Sequence, residues 1–226
     1  MATIYSGTND GFVNQMGPVW GLVRDHTDGN SSSSNTSFVG YSIRVDLSTG
    51  RGGNTFLITR SFFEFDTSGI SVAPTDATLK IYGGVNGNGD VIAVLGTQDT
   101  SLGTNDFDAL DFTKPLSSEL ATWSTGAYND IALNSTAFNT MRDDDLFKVV
   151  VINYDYDYLD TAPTSAINTQ CGCYYANDPG TSRDPYIDYT PGVAAGYGNA
   201  VLGVASGNIS TVNGVATANI SKVSGV

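Results

Sequence analysis

Apolar and polar residues alternate with a period of two along much of this chain, the mark of strands with one buried face. From Phe38 to Leu47, Val39, Tyr41, Ile43, Val45 and Leu47 share one parity, and Ser42, Arg44 and Asp46 take the other. Ala77 to Tyr82 alternates likewise, with Leu79 and Ile81 on one face. Ser61 to Asp66 is aromatic on both parities except at Glu64, which predicts a central strand. Leu146 to Ile152 is the strongest strand signal in the chain. Val19–Val23, Thr55–Ile58, Val91–Leu95, Asp130–Leu133 and a closing edge or final strand over Asp184–Thr190 complete the set. The run Asn86-Gly87-Asn88-Gly89-Asp90 has the composition of a tight turn and predicts a hairpin between 77–82 and 91–95.

Two segments carry helical spacing instead. Leu116, Leu120 and Trp123 form one stripe of Pro115–Trp123. Ala137, Phe138 and Met141 lie in Thr136–Arg142, for which Ser135 is the expected cap. Residues 1–54 are rich in Gly, Ser and Asn, and the polar run Asn30–Asn35 reads as an exposed loop. Arg51-Gly52-Gly53-Asn54 is a turn by residue type.

The pattern changes at Pro191-Gly192. Residues 1–190 form the expected body; residues 191–226 form an arm with an eleven-residue repeat. Val201-Leu202-Gly203-Val204-Ala205-Ser206-Gly207-Asn208-Ile209-Ser210-Thr211 is followed in register by Val212-Asn213-Gly214-Val215-Ala216-Thr217-Ala218-Asn219-Ile220-Ser221-Lys222, and a third copy starts at Val223. Its Gly, Asn and β-branched residues oppose a helix, and Asn213-Gly214 suggests a turn between short extended segments. So thin a segment cannot bury its apolar groups alone, which predicts docking on its own body or on neighbouring chains.

Composition sharpens this picture. Only Glu64 and Glu119 are Glu, so the acid is nearly all Asp, a residue of turns and caps rather than of helices. The net charge of −13 repels phosphate backbones and argues against nucleic-acid binding. No stretch is long and apolar enough to span a membrane. The first residues lack the basic start and apolar run of a signal peptide, which predicts synthesis and retention in a cytoplasm until release.

Catalytic signatures are sparse. His26, the one histidine, sits in a polar loop with no nucleophile motif. Glu64 is the best single carboxylate; the expected reading is an ion pair with Arg60 or Arg44. Cys171 and Cys173 are too close in sequence for an unstrained bridge on a strand and predict buried, reduced thiols. The chain is therefore not expected to be an enzyme. Binding chemistry is better represented in Asn153-Tyr154-Asp155-Tyr156-Asp157-Tyr158-Leu159-Asp160. Strand alternation would set Tyr154, Tyr156 and Tyr158 on one face, a platform for sugar rings together with Trp20. It would set Asp155 and Asp157 on the other, where with Asp160 they are the Ca²⁺ candidates; no other cofactor is implied.

Arg60-Ser61-Phe62-Phe63-Glu64-Phe65-Asp66-Thr67-Ser68-Gly69-Ile70, followed by Ala77-Thr78-Leu79-Lys80-Ile81-Tyr82-Gly83 and closed by Ser182-Arg183-Asp184-Pro185-Tyr186-Ile187, resembles the core of DNRLRE-type jelly-roll domains. The likeness covers roughly residues 40 to 190. It implies an all-β fold, a jelly-roll-like β-sandwich with two short helices and an extended repetitive C-terminal arm, of the carbohydrate-binding-module kind found on adhesive proteins. Ala218-Asn219-Ile220-Ser221-Lys222-Val223-Ser224-Gly225-Val226 resembles repeats that end structural proteins of tailed phages. That likeness implies a virion protein: a capsid decoration, a fibre or a tail appendage. Its partners would be itself, other virion proteins and host-surface glycans. In this reading Val201, Val204, Ile209, Val212, Val215, Ile220 and Val223 make the contacts of a homo-oligomer.

Overall fold

The computed structural model describes residues 1–34 and 36–193 in full, and the backbone of two short strands further on. The chain divides into two compact units, Met1–Pro191 and Gly192–Val226. The first is an all-β sandwich. Its strands are β1 (Ala2–Tyr5), β2 (Gly11–Gly17), β3 (Ser31–Ser33), β4 (Phe38–Gly50), β5 (Gly53–Asp66), β6 (Asp76–Gly87), β7 (Val91–Gly96), β8 (Leu110–Pro115), β9 (Tyr128–Ala132), β10 (Leu146–Asn153), β11 (Ile167–Tyr174) and β12 (Tyr186–Thr190). In the second unit, β13 (Thr211–Val212) pairs antiparallel with β14 (Val215–Ala216), Val212 opposite Val215. Asn213-Gly214, for which a turn is expected, lies outside the described residues. Val201, Val204, Ile209, Ile220 and Val223 lie outside the described residues, as do the side chains of Val212 and Val215.

The pairings are antiparallel. The smaller sheet runs β1, β12, β6, β9, and the larger runs β11, β4, β5, β10, β7, β8, with β2 and β3 added along β5. β6 belongs to both: Asp76–Tyr82 pairs with β12 and β9, and Gly83–Asn86 pairs with β11. A long strand that changes sheets is the ordinary way to make the corner of a sandwich.

The larger sheet is covered on both faces, which explains its apolar runs. In β10, Phe147, Val149 and Val151 join one cluster with Phe63, Phe65, Leu79, Ile81 and Ile187. Val150 and Ile152 point the other way, into a cluster with Ile58, Phe62, Ile92, Val94 and Phe107. β5 lies centrally, as its pattern predicts. β4 partners it over Gly53–Thr59, β10 over Ser61–Asp66, and β2 over Phe56–Phe62.

Several local expectations are overturned. The hairpin of β6 and β7 does not form. β7 is apolar on both parities and needs cover on both faces, so it sits between β10 and β8. Pro115–Trp123 is not a helix. After β8 the chain stays extended, and the Leu116 and Leu120 N–H groups donate to Ala93 and Val91 carbonyls of β7 (2.8 Å each). Val19–Val23 is not a strand: α1 (Trp20–Arg24) buries Trp20, Val23 and Arg24 at the i, i+3, i+4 spacing of a helix. The second expected helix exists as α2 (Ser135–Asp143), but its cap is Asn134, whose side chain accepts from the Thr136 and Ala137 N–H groups. Asn30–Asn35 is not wholly a loop, since β3 pairs with β2. β12 is the final strand of the body, the second of the two alternatives expected for it, and lies between β1 and β6 rather than at an edge. The parity of β4 also breaks: Val39 and Ile43 enter one cluster, Val45 and Leu47 the other, while Ser42 is buried and Tyr41 exposed. The irregularity lies where β11 shifts register between Cys171 and Cys173.

Candidate functional site

The sequence-predicted tyrosines do not form a strand face. Tyr154–Tyr158 is a single π-helical turn. Tyr154, Tyr156 and Tyr158 are half-buried against the second cluster, and Tyr154 stacks on Tyr158 (5.7 Å, 18°). Trp20 is buried at 8 % exposure, edge-on to Phe56, and donates from Nε1 to Asp160 (3.0 Å). It is a core residue, not a platform.

The three Ca²⁺ candidates diverge. Asp157 turns inward and takes Arg60 Nε and Nη2 in a two-point ion pair (2.8 and 2.7 Å), both side chains fully buried. Asp160 faces Trp20 and Arg24. Asp155 is exposed beside Asp90, whose carboxyl is pushed up to about 6 by burial and by Asp155. A π turn, unlike a strand, sends alternate residues in different directions, so no common ligand set arises. Among the described residues, no three His, Cys, Asp or Glu side chains gather as a metal-holding group.

The catalytic readings find no more support in the geometry. Glu64 pairs with neither Arg60 nor Arg44: Arg44 takes Asp46, and Glu64 accepts from Asn9 and stands opposite Lys148 in register. His26 is exposed, and its Nδ1 accepts the Asp28 N–H. Cys171 and Cys173 are buried free thiols, both pushed upward chiefly by burial, Cys173 to about 12.

The outer face of the smaller sheet is different. Ile4, Ile187, Leu79 and Ile131 point inward, so the alternate positions must point out. Cross-strand register sets Tyr5 opposite Tyr186 and Tyr82 opposite Tyr128. Their rings touch in a row: Tyr5 to Tyr186 at 5.6 Å, Tyr186 to Tyr128 at 4.9 Å, and Tyr128 to Tyr82 at 5.2 Å. The row continues from Tyr82 to Tyr174 of β11 (5.6 Å) and on to Phe38 of β4 (4.7 Å). Gly84 makes the last step possible, since a Cβ there would lie 2.2 Å from the Phe38 ring.

The ridge is braced and rimmed. Tyr82 donates to the Gly126 carbonyl (2.7 Å), and Tyr128 to those of Ser182 and Asp184 (3.1 and 3.2 Å). Burial and neighbouring charge push the Tyr128 phenol up to about 12, so it remains a donor. Arg183 lies over the Tyr174 ring (4.2 Å), held there by Asp178. Lys80 pairs with Asp130 (2.7 Å), and Thr3 donates to Asp188 (2.6 Å). Tyr5 and Phe38 are 48 and 38 % exposed, and the rings between them half-buried, so one edge of the row is open to solvent.

Such a surface offers ring faces and edges to the C–H groups of a ligand, and fixed polar groups to its hydroxyls. Sequence reading missed it because its members come from six strands. Outward parity was legible at Tyr82, but adjacency was not. A scan of the chain against protein-family models finds no match, nor does a search of curated proteins.

Proposed function

We propose that this protein is a virion structural protein of a tailed phage, a capsid decoration, fibre or tail appendage, whose sandwich body adheres to host-surface glycans through the Tyr5–Tyr186–Tyr128–Tyr82–Tyr174–Phe38 ridge. The observation that carries the adhesive role is that unbroken row of rings on an outward sheet face. Its polar rim holds both signs of charge, Lys80 and Arg183 with Asp130 and Asp188, which suits a neutral glycan better than a polyanion. The virion role rests on the resemblance of the C-terminal repeat, and the net charge of −13 agrees with a partner other than nucleic acid. No helix among the described residues is long and apolar enough to cross a membrane.

The test is a glycan array probed with the full chain and with Tyr82→Ala/Tyr128→Ala. Binding to neutral glycans that the double variant loses, with its melting transition still cooperative, supports the reading. A blank array, or binding unchanged by the double variant, refutes the adhesive role. Assembly is read separately. Val212→Asp/Val223→Asp should turn an oligomer into a monomer on size-exclusion chromatography with the body still folded. An unchanged elution volume removes the arm from assembly.

A further inference from the structure

The larger sheet carries a polar patch on one face. Val13, Val45 and Ile58 point into the second apolar cluster, and Ile167 packs against it, so their neighbours in β2, β4, β5 and β11 point the other way. Register sets four of these in one row. Asn14 of β2 stands opposite Thr59 of β5, Thr59 opposite Arg44 of β4, and Arg44 opposite Gln170 of β11. Directly opposed side chains share a face, with Cβ atoms about 4.5–5.5 Å apart. The adjoining row on the same four strands and the same face is Met16, Leu57, Asp46 and Asn168. This second row opens to solvent, since Met16 is 54 % exposed and Asn168 is exposed.

The centre of the first row is unsatisfied. Arg44 gives Nη2 to Asp46 (2.7 Å), but its Nε is buried with no hydrogen-bond partner among the described residues. Thr59 is 1 % exposed, and its Oγ1 likewise has no partner. A guanidinium donor and a hydroxyl on directly opposed residues are thus both left over. Buried polar atoms of this kind are rare and call for a hydrogen-bonding group from outside the chain. Asn14 and Gln170, half-buried on either side, bring amides that donate and accept. A cavity of about 430 Å³ adjoins the second row, lined in part by Asp46, Ser48 and Asn168, and lies in the size range of small-ligand sites.

We propose that these two rows form a binding site for one unit of a neutral sugar, separate from the tyrosine ridge. The Arg44 Nε–H needs an acceptor and the Thr59 hydroxyl takes either role; a sugar hydroxyl serves both. Asp46 offsets the charge of Arg44, so the ligand need bring none. Met16 and Leu57 offer apolar contact to the C–H side of a sugar ring, beside the polar groups that meet its hydroxyls. A peptide fits less well, because the patch lies on a sheet face and not along an open edge where backbone bonds could form. The site does not rest on the ridge reading; either can bind or fail alone.

The test is an NMR titration of the isotope-labelled full chain with the methyl glycosides of glucose, galactose, mannose and N-acetylglucosamine, into the tens of millimolar. The reporters are the Arg44 Nε–H resonance, assigned through its own side chain, and the side-chain amides of Asn14 and Gln170. At least one glycoside should shift them saturably, with Kd in the millimolar range, and Tyr82→Ala/Tyr128→Ala should leave those shifts unchanged. Arg44→Lys, read at the two amides, should weaken binding by about tenfold, and Thr59→Val, which keeps the shape, by about threefold, as loss of a charged and of a neutral hydrogen bond does. No saturable shift of the Arg44 Nε–H with any of the four overturns the proposal, and that measurement needs no variant to fold. Shifts that vanish in the tyrosine double variant also overturn it, because the sugar then sits on the ridge. So does a blocked trialanine peptide that moves the same signals as far as the glycosides do.

Discussion

Breaking the Arg60–Asp157 pair should destabilise this protein more than any change on its surface. Arg60 is the one position of β5 between its register with β4, which ends at Thr59, and its register with β10, which begins at Ser61. Its side chain fills the interior there. It gives two bonds to Asp157, one from Nη1 to the Phe107 carbonyl and one from Nη2 to the Arg24 carbonyl (2.9 Å each), with its guanidinium over the Phe107 ring at 4.1 Å. Asp157→Ala leaves a buried guanidinium with two carbonyls and no counter-charge. Removing one member of a buried pair costs about 3–5 kcal/mol. At about 2–4 °C per kcal/mol for a domain of this size, Tm should fall by about 6–20 °C. Asp157→Asn keeps an acceptor oxygen and should fall in the lower part of that range. Replacing both residues, as Arg60→Met/Asp157→Leu, removes the stranded charge. The double variant should therefore be less damaged than the two single losses added together. Thermal and urea melts of wild type, Arg60→Met, Asp157→Leu and the double variant form the cycle. Single variants that lose less than about 3 °C, or a double variant that loses the full sum, would refute this account of the fold's interior.

Three further outcomes are expected. Asn134→Ala removes the cap of α2 and should cost about 1 kcal/mol, or about 2–4 °C in Tm, whereas Ser135→Ala should change little. Gly172→Ala should prevent stable folding, because a Cβ there would lie 2.8 Å from the Gly40 Cα across the β4–β11 irregularity; Gly52→Ala, with open space around it, should melt like wild type. Asp90 is raised above its unfolded value, so the fold holds its proton more tightly than the unfolded chain does. Its contribution to stability is full below the unfolded value and is lost as pH rises through about 6. The Tm of Asp90→Asn relative to wild type should therefore climb as pH is raised from about 4 to about 7, and a flat difference would exclude the effect.

The strands were the legible part of the chain. Alternation at 77–82 and apolar runs at 61–66 and 146–152 reflect whether one face or both are covered, and that property follows from composition position by position. The failures cluster where the same local pattern serves two structures. Leu116, Leu120 and Trp123 have helical spacing, yet the backbone there pairs with β7, because the N–H groups find carbonyls of an apolar strand already in place. Tyr154, Tyr156 and Tyr158 have strand spacing, yet Asp157 is drawn inward to Arg60, and the segment closes into a π turn. Local spacing holds no information about a partner 97 residues away.

What the amino-acid sequence determined by itself was the all-β class, the central place of β5 and the change of composition near residue 191. Each follows from short-range rules: side-chain period and residue type. Only the tertiary structure decided that Tyr5, Tyr82, Tyr128, Tyr174, Tyr186 and Phe38 form one ridge and that Arg60 meets Asp157. These are matters of register between strands far apart in the chain. Register is settled by packing two faces of a sheet at once, a constraint that no single segment carries.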